Sequence, residues 1–321
     1  MMLELLILIA SIAVLSRSSS EVVDSALRLS RFFGISQLAM GFLLVAVATS
    51  LPELSVSITA ASAGQGAIAA GNVFGSNIAN IFLILGAGAF IYGITISRRN
   101  LKDIGLILLL TTLISVYIIF SSYVAGAALG VVEGAALLVI FSAYVWDILR
   151  KKKKVENGGS MPKIDKKKAL SAFLVFCGGI IIVVISSAFV VDSAVAIASS
   201  LGLAQSFIGA TLIAFGTSLP ELTTAMQALR RGRHGLVLGN VIGSNITNLT
   251  LVLGSAALIG SIEVRLPVFA AALLFAVVAN SILFYIAAIN RKMARLGGIL
   301  FLLAYGIYLA LIFGLQVTEL S

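Results

Sequence analysis

The chain has 321 residues, of which 60% are hydrophobic and 11% are charged, with a net charge of +9 and a mean hydropathy of +1.12. Soluble domains average about 45–50% apolar and about 25% charged residues. This chain therefore carries more apolar surface than a water-facing protein can hide, which excludes a soluble enzyme, a secreted disulfide scaffold and a disordered protein.

Crossing about 30 Å of hydrocarbon takes roughly 20 apolar residues. Runs of that kind predict an all-α integral membrane protein with ten helices, near 1–16, 36–63, 67–92, 101–121, 125–147, 169–189, 205–229, 235–260, 266–289 and 296–316. The first run carries Glu4 instead of a basic leader and shows no small-residue cleavage pattern, so it reads as a true span. Asp24 and Asp192 then fall at span ends, where a helix-terminal or turn role is expected. Glu53 is the sole charge between Phe32 and Ser97, and that long run divides at Gly64-Gln65-Gly66. Cys177 lies in the sixth run and has no partner for an intramolecular disulfide.

All basic residues except Arg265 form five clusters: Arg17/Arg28/Arg31, Arg98/Arg99/Lys102, Arg150 through Lys168, Arg230/Arg231/Arg233 and Arg291/Lys292/Arg295. With ten spans these are alternate connections on one side of the membrane. The positive-inside tendency makes that side cytoplasmic and puts both termini outside. The basic excess is thus read as topology, with no nucleic-acid partner. The 151–168 segment, rich in Lys with Gly158-Gly159 and Pro162, reads as a flexible cytoplasmic linker, or more sharply as a contact with anionic lipid headgroups.

The chain repeats itself. GFLLVAVATSLPE from Gly41 matches GATLIAFGTSLPE from Gly209, and GNVFGSNIANIFLILG from Gly71 matches GNVIGSNITNLTLVLG from Gly239. Val22-Val23-Asp24-Ser25-Ala26 recurs as Val190-Val191-Asp192-Ser193-Ala194, and all three pairs share one offset of 168 residues. The repeats are 1–150 and 169–321. Five spans in each is an odd number, so the second enters the membrane inverted, a plan found in many alternating-access transporters.

Only Glu53 and Glu221 lie deep in spans, and they are repeat mates. A buried carboxylate is costly without a partner, and no Lys or Arg lies deep enough to serve, which leaves protons or bound cations. In Thr49-Ser50-Leu51-Pro52-Glu53, as in Thr217-Ser218-Leu219-Pro220-Glu221, the hydroxyls lie three and four residues before the acid on one helix face. The proline removes a backbone hydrogen bond and frees the carbonyl of Ala48. Spans three and eight add stripes of neutral oxygens, Asn72/Ser76/Asn80 and Asn240/Ser244/Asn248, while Asn77 and Asn245 sit one step off and read as structural. Gly71/Gly75 and Gly239/Gly243 are spaced for close helix approach. Two carboxylates with hydroxyls, amides and carbonyls form a hard-oxygen set suited to Ca²⁺, Mg²⁺ or Na⁺, and flexibility in ligand number favours Ca²⁺ over Mg²⁺. A doubly negative site that changes access only when loaded implies exchange. A cation channel with the glutamates as its filter is the reading from another class.

These motifs resemble the α-repeats of the sodium/calcium exchangers of the cation/calcium antiporter superfamily. The resemblance implies Na⁺/Ca²⁺ antiport, with H⁺/Ca²⁺ exchange as the alternative within the superfamily. It implies ligands at Glu53, Thr49, Ser50, Ser76 and Asn80, at Glu221, Thr217, Ser218, Ser244 and Asn248, and at the carbonyls of Ala46 and Ala214. It also implies gating by sliding of the first and sixth spans. Members that exchange sodium for calcium commonly carry Asp where this chain has Asn248, so here the set holds two acids only, which argues against potassium cotransport. The expectation is a multi-pass cell-membrane antiporter, not an enzyme and without a cofactor, with Ca²⁺ and Na⁺ as substrates and lipid as its surroundings, working as a monomer. Glu133 is a weaker candidate for ion entry, and Trp146 fits an interfacial anchor.

Overall fold

The structure, a computed structural model, describes residues 2–64, 66–98, 101–125, 129–150, 165–200, 214–262 and 266–320. Almost all of these are helical. In chain order the helices are α1 (Met2–Phe33), α2 (Gln37–Thr49), α3 (Leu51–Ser62) and α4 (Ile68–Tyr92), α5 (Leu101–Ala125), α6 (Val131–Arg150), α7 (Lys166–Ser200), α8 (Ala214–Thr217), α9 (Leu219–Arg230), α10 (His234–Ile259), α11 (Leu266–Tyr285) and α12 (Arg295–Leu320). Among the described residues seven helices are long and apolar enough to cross a membrane, and the bent pair α2/α3 makes eight. The chain is thus a helical membrane protein. The expected span near 205–229 lies partly outside the described residues, as do Arg265 and most of the 151–168 linker.

Two compact units divide the chain: Met1–Leu51 with Ile148–Asn240, and Pro52–Asp147 with Val241–Ser321. Each unit therefore draws on both sequence repeats.

In the first unit α1 and α7 pack along one another, and α1 also packs on α9. The first span does not end near residue 16 as expected: α1 runs unbroken for 32 residues, and α7 for 35. The polar run Ser16–Glu21 looks like a loop by composition, but it holds no Gly or Pro to break a helix. Its hydroxyls bond inward instead. Ser18 Oγ donates to the carbonyl of Val14 at 2.8 Å, and Ser19 Oγ donates to Thr223 Oγ1 on α9 at 2.9 Å. Asp24 and Asp192 are consequently inside helices and not at their ends, and Asp24 accepts from Arg231 Nη2 at 2.9 Å. A second crossing is tighter still. A Cβ on Gly41 would stand 2.5 Å from the carbonyl oxygen of Leu236, and one on Gly239 would collide with the carbonyl of Leu38. Glycine lets α2 and the start of α10 meet backbone to backbone. Among the described residues nothing comes within 4 Å of such a Cβ at Gly71 or Gly75.

The second unit is built on α4 and the rest of α10, with α5, α6, α11 and α12 around them. The repeat mates Gly86 and Gly254 each sit at a close crossing, Gly86 against Gly298 and Phe301, Gly254 against Gly134 and Leu137. Two short strands, β1 (Ile94–Thr95) and β2 (Lys292–Met293), pair antiparallel. The outer faces are apolar and open: Leu296, Leu300, Leu303 and Ile307 form one exposed stripe on α12 at helical spacing, as a lipid-facing surface requires.

Candidate functional site

Both TSLPE segments interrupt their helix at the serine. Ser50 has φ −81° and ψ 9°, and Ser218 has φ −87° and ψ 4°, so the break is the same in both repeats. Pro52 and Pro220 cannot donate a backbone hydrogen bond, and each ring crowds the carbonyl four residues back, so the helix breaks in the turn before the proline. In the first repeat the two helix pieces meet at 46°. The consequence is electrostatic: Glu53 and Glu221 each fall in the first turn of a new helix, α3 and α9, where the helix dipole favours a carboxylate. Both are 1% exposed.

In the first unit Ser50 Oγ donates to Glu221 Oε1 at 3.3 Å, so a hydroxyl of one repeat serves the acid of the other. Thr49 Oγ1 donates to Asn240 Oδ1 at 3.3 Å and lies 3.4 Å from the carbonyl of Ala46. That carbonyl also accepts the Ser50 N–H at 3.0 Å. Asn240 Nδ2 donates to Thr224 Oγ1 at 3.2 Å, which fixes the amide. Ser218 is buried, and its hydroxyl makes no hydrogen bond among the described residues. Thr217 is half-buried, and Ala214 begins α8.

In the second unit Ser76 Oγ donates to Glu53 Oε1 at 3.4 Å. Asn72 Nδ2 bonds the Glu53 carbonyl at 3.1 Å and Ser57 Oγ at 3.0 Å, so Asn72 braces α3 against α4. Asn80, Ser244 and Asn248 are buried. Asn80 opens onto a π-helical turn, Ala79–Leu85, and Asn248 begins its counterpart, Asn248–Val252; such turns recur at functional sites.

Four asparagines interlock here. Asn77 Nδ2 donates to the carbonyl of Asn245, and Asn245 Nδ2 to the carbonyl of Asn77, both at 3.2 Å. Each then accepts from the outer asparagine of the other repeat: Asn80 Nδ2 donates to Asn245 Oδ1 at 2.9 Å and Asn248 Nδ2 to Asn77 Oδ1 at 3.2 Å. Asn77 and Asn245 are repeat mates that touch each other, so a local two-fold axis runs between them. With their nitrogens engaged, Asn80 and Asn248 leave Oδ1 atoms that are buried and accept no hydrogen bond among the described residues. The expected structural role of Asn77 and Asn245 is thus specific: they aim the two amides proposed as ligands. A further pair on the axis was not anticipated. Asn280 Nδ2 donates to Thr111 Oγ1 at 3.1 Å and to Thr112, its repeat mate, at 2.9 Å; the 168-residue offset could have flagged that pair. Glu133 Oε2 accepts the N–H of Gly130 at 2.9 Å, a cap on α6 that accounts for it locally. Trp146 is exposed.

Among the described residues no three His, Cys, Asp or Glu side chains gather. A cation bound by these residues is therefore held mostly by neutral oxygens, which selects hard ions over zinc or copper.

Comparison with known proteins agrees with this chemistry. The family model described as sodium/calcium exchanger protein matches residues 3–149 and 171–314. An uncharacterized membrane protein of Methanocaldococcus jannaschii, MJ0091, is 34% identical over 284 residues, covering 88% of this chain and 89% of that protein. The sodium/calcium exchanger MaX1 of Methanosarcina acetivorans is 29% identical over 298 residues, covering 79% of this chain and 82% of that protein. A structure of the sodium-calcium exchanger NCX_Mj soaked with Na⁺ superposes with a TM-score of 0.83 at 30% identity, covering 96% of this chain and 98% of the other.

Proposed function

This chain belongs to the sodium/calcium exchanger protein family, and on that premise we propose that it moves Na⁺ and Ca²⁺ in opposite directions across the cell membrane by alternating access. The observation that carries the reading is the pair of amide oxygens on Asn80 and Asn248, buried and without a donor among the described residues. A polar atom buried without a partner costs about 1–3 kcal/mol, and a cation supplies the missing partner.

The proposed ligands are the carboxylates of Glu53 and Glu221, the hydroxyls of Thr49, Ser50, Ser76, Thr217, Ser218 and Ser244, the amide oxygens of Asn80 and Asn248, and the carbonyls of Ala46 and Ala214. The hydroxyls of Ser50 and Ser76 donate to the two acids, and a hydroxyl can turn a lone pair toward an ion once the carboxylate is occupied. Two ionised acids are unfavourable in a low-dielectric interior, and one Ca²⁺ or several Na⁺ cancel that charge. This is why the loaded forms are the ones that change access. The proposed arrangement has ten spans in two inverted repeats, with basic connections cytoplasmic and both termini outside. Sliding of α1 and α7, which pack along each other, exposes the ions alternately, and a single chain suffices.

The test is ion substitution. Vesicles containing the purified protein and loaded with Na⁺ take up Ca²⁺ when external Na⁺ is removed. Uptake that ignores the Na⁺ gradient and follows a pH gradient transfers the assignment to H⁺/Ca²⁺ exchange.

A further inference from the structure

Two adjoining cavities in the first unit share Arg28 and Arg31. One, of about 400 Å³, is lined by these two with Asp24, Leu27, Arg231 and Arg233. The other, of about 440 Å³, is lined by them with Lys167, Lys168 and Ser171. Six cationic side chains thus converge on two cavities that contain one carboxylate.

That carboxylate is already engaged. Arg231 Nη2 is 2.9 Å from Asp24 Oδ2, and the same guanidinium donates to the Ser20 carbonyl at 2.9 Å and to its hydroxyl at 2.7 Å. Arg231 is a fixed wall of the cavity. Arg28, Arg31, Lys167 and Lys168 are exposed, and none has an acidic partner among the described residues. Arg233 is half-buried, and its Nε–H is buried without an acceptor among the described residues.

A general excess of basic charge on one side of a membrane explains why these residues are cationic. It does not explain why they share cavities from three separate stretches of chain, or why a guanidinium N–H is buried and unsatisfied. Nor does the repeat. Asp24 has a mate in Asp192, but the positions matching Arg28, Arg31, Arg231 and Arg233 are Ala196, Ser199, Ala63 and Gln65. The repeat-related positions therefore carry no matching basic cluster.

Its chemistry is that of oxyanion recognition. Guanidinium forks bind phosphate oxygens with paired, charge-assisted hydrogen bonds, and lysines add point charge. Its level in the fold is also informative: Arg31 is in the last turn of α1, Lys167 at the start of α7, and Arg231 follows the last residue of α9. α1 and α7 are apolar and long enough to span a membrane, and the ends of such helices are where headgroup phosphates lie. We propose that the two cavities form a binding site for a phosphate-bearing anion, supplied by an acidic phospholipid headgroup or by free phosphate, that joins the ends of α1, α7 and α9.

The test uses the purified full chain in uncharged detergent. Its melting midpoint is followed while short-chain phosphatidylglycerol, short-chain phosphatidylcholine, inorganic phosphate or pyrophosphate is titrated. The double variants R28Q/R31Q and K167Q/K168Q are compared with the wild type and with R98Q, an exposed arginine outside both cavities. Saturable stabilisation by phosphatidylglycerol and not by phosphatidylcholine, weakened on the order of tenfold in either double variant and unchanged in R98Q, supports the site with lipid as the source. Saturation by phosphate or pyrophosphate with the same dependence on the variants supports it with a free anion as the source. Should one double variant fail to fold, the other carries the comparison. No saturation by any anion, equal response to phosphatidylcholine, or full binding by the folded variants overturns the proposal.

Discussion

Asn77 and Asn245 exchange bonds across a local two-fold axis, so alanine at either position removes the same set of contacts. In N245A the Asn77 carbonyl loses its 3.2 Å donor, and Asn80 Nδ2 loses its 2.9 Å acceptor. Interhelical hydrogen bonds inside membranes average about 0.6 kcal/mol by double-mutant cycles, while a buried group left unsatisfied costs about 1–3 kcal/mol. Two lost bonds at a buried position therefore amount to about 1–3 kcal/mol. If the pair aims the ligand amides, that cost also falls on ion binding, about 5- to 150-fold in apparent Ca²⁺ affinity. The assay is the Ca²⁺ dependence of Na⁺-driven uptake in vesicles, with a thermal melt of each variant. N245A and N77A should agree within about threefold, as the two-fold arrangement requires. N280A is the control: it removes two comparable buried bonds, to Thr111 and Thr112, and should lower stability by a similar amount while leaving Ca²⁺ affinity near wild type. Early melting of N245A and N77A with wild-type affinity, or a shift in affinity for N280A as large as theirs, refutes an aiming role for the pair.

Other substitutions probe separate links. N248D replaces an amide that donates to Asn77 Oδ1 at 3.2 Å with an acid that faces the same oxygen. It should alter the Na⁺ dependence of uptake and make it pH-dependent, and an unchanged ion profile would remove residue 248 from the ligand set. G239A drives a methyl group into the Leu38 carbonyl, so it should cost about 1–3 kcal/mol and lower the melting midpoint. An unshifted midpoint would mean that α2 and α10 do not cross this closely. D24N breaks an ion pair whose side chains are 29% and 41% exposed, worth at most about 1 kcal/mol; a larger loss in the melt would give Asp24 a weight the geometry does not support.

The two acids were legible because the repeat isolates them: two carboxylates at one offset, each beside a proline, admit few explanations. Their hydroxyl partners were not: the helix breaks at Ser50 and Ser218, so Thr49 and Ser50 do not share one helix face with Glu53, and Ser50 donates to Glu221 of the other repeat. The break at Ser50 and Ser218 likewise follows from proline chemistry. The length of α1 was not legible. Ser16 through Glu21 has the composition of a loop, and its partners come partly from its own helix, as Ser18 with Val14, and partly from residues distant in sequence, Thr223 and Arg231. The structural role of Asn77 and Asn245 is readable from their position one step off the stripe, but their neighbours appear only once the two repeats interlock. The pairing of Asn280 with Thr112 joins repeat mates of different type, which residue identity between the repeats does not reveal. The repeats at 1–150 and 169–321 and the two compact units divide the same chain differently, because contacts join segments of both repeats within each unit.

The central claim is that Glu53 and Glu221 hold the transported ions. The measurement that addresses it most directly is Na⁺-gradient-driven Ca²⁺ uptake by vesicles containing E53Q, E221Q or wild-type protein at matched amounts. Each variant keeps the shape of the side chain and removes its charge. Uptake should fall by about 100-fold or more in both variants, with each protein still folded. Near-wild-type uptake in either folded variant would contradict it.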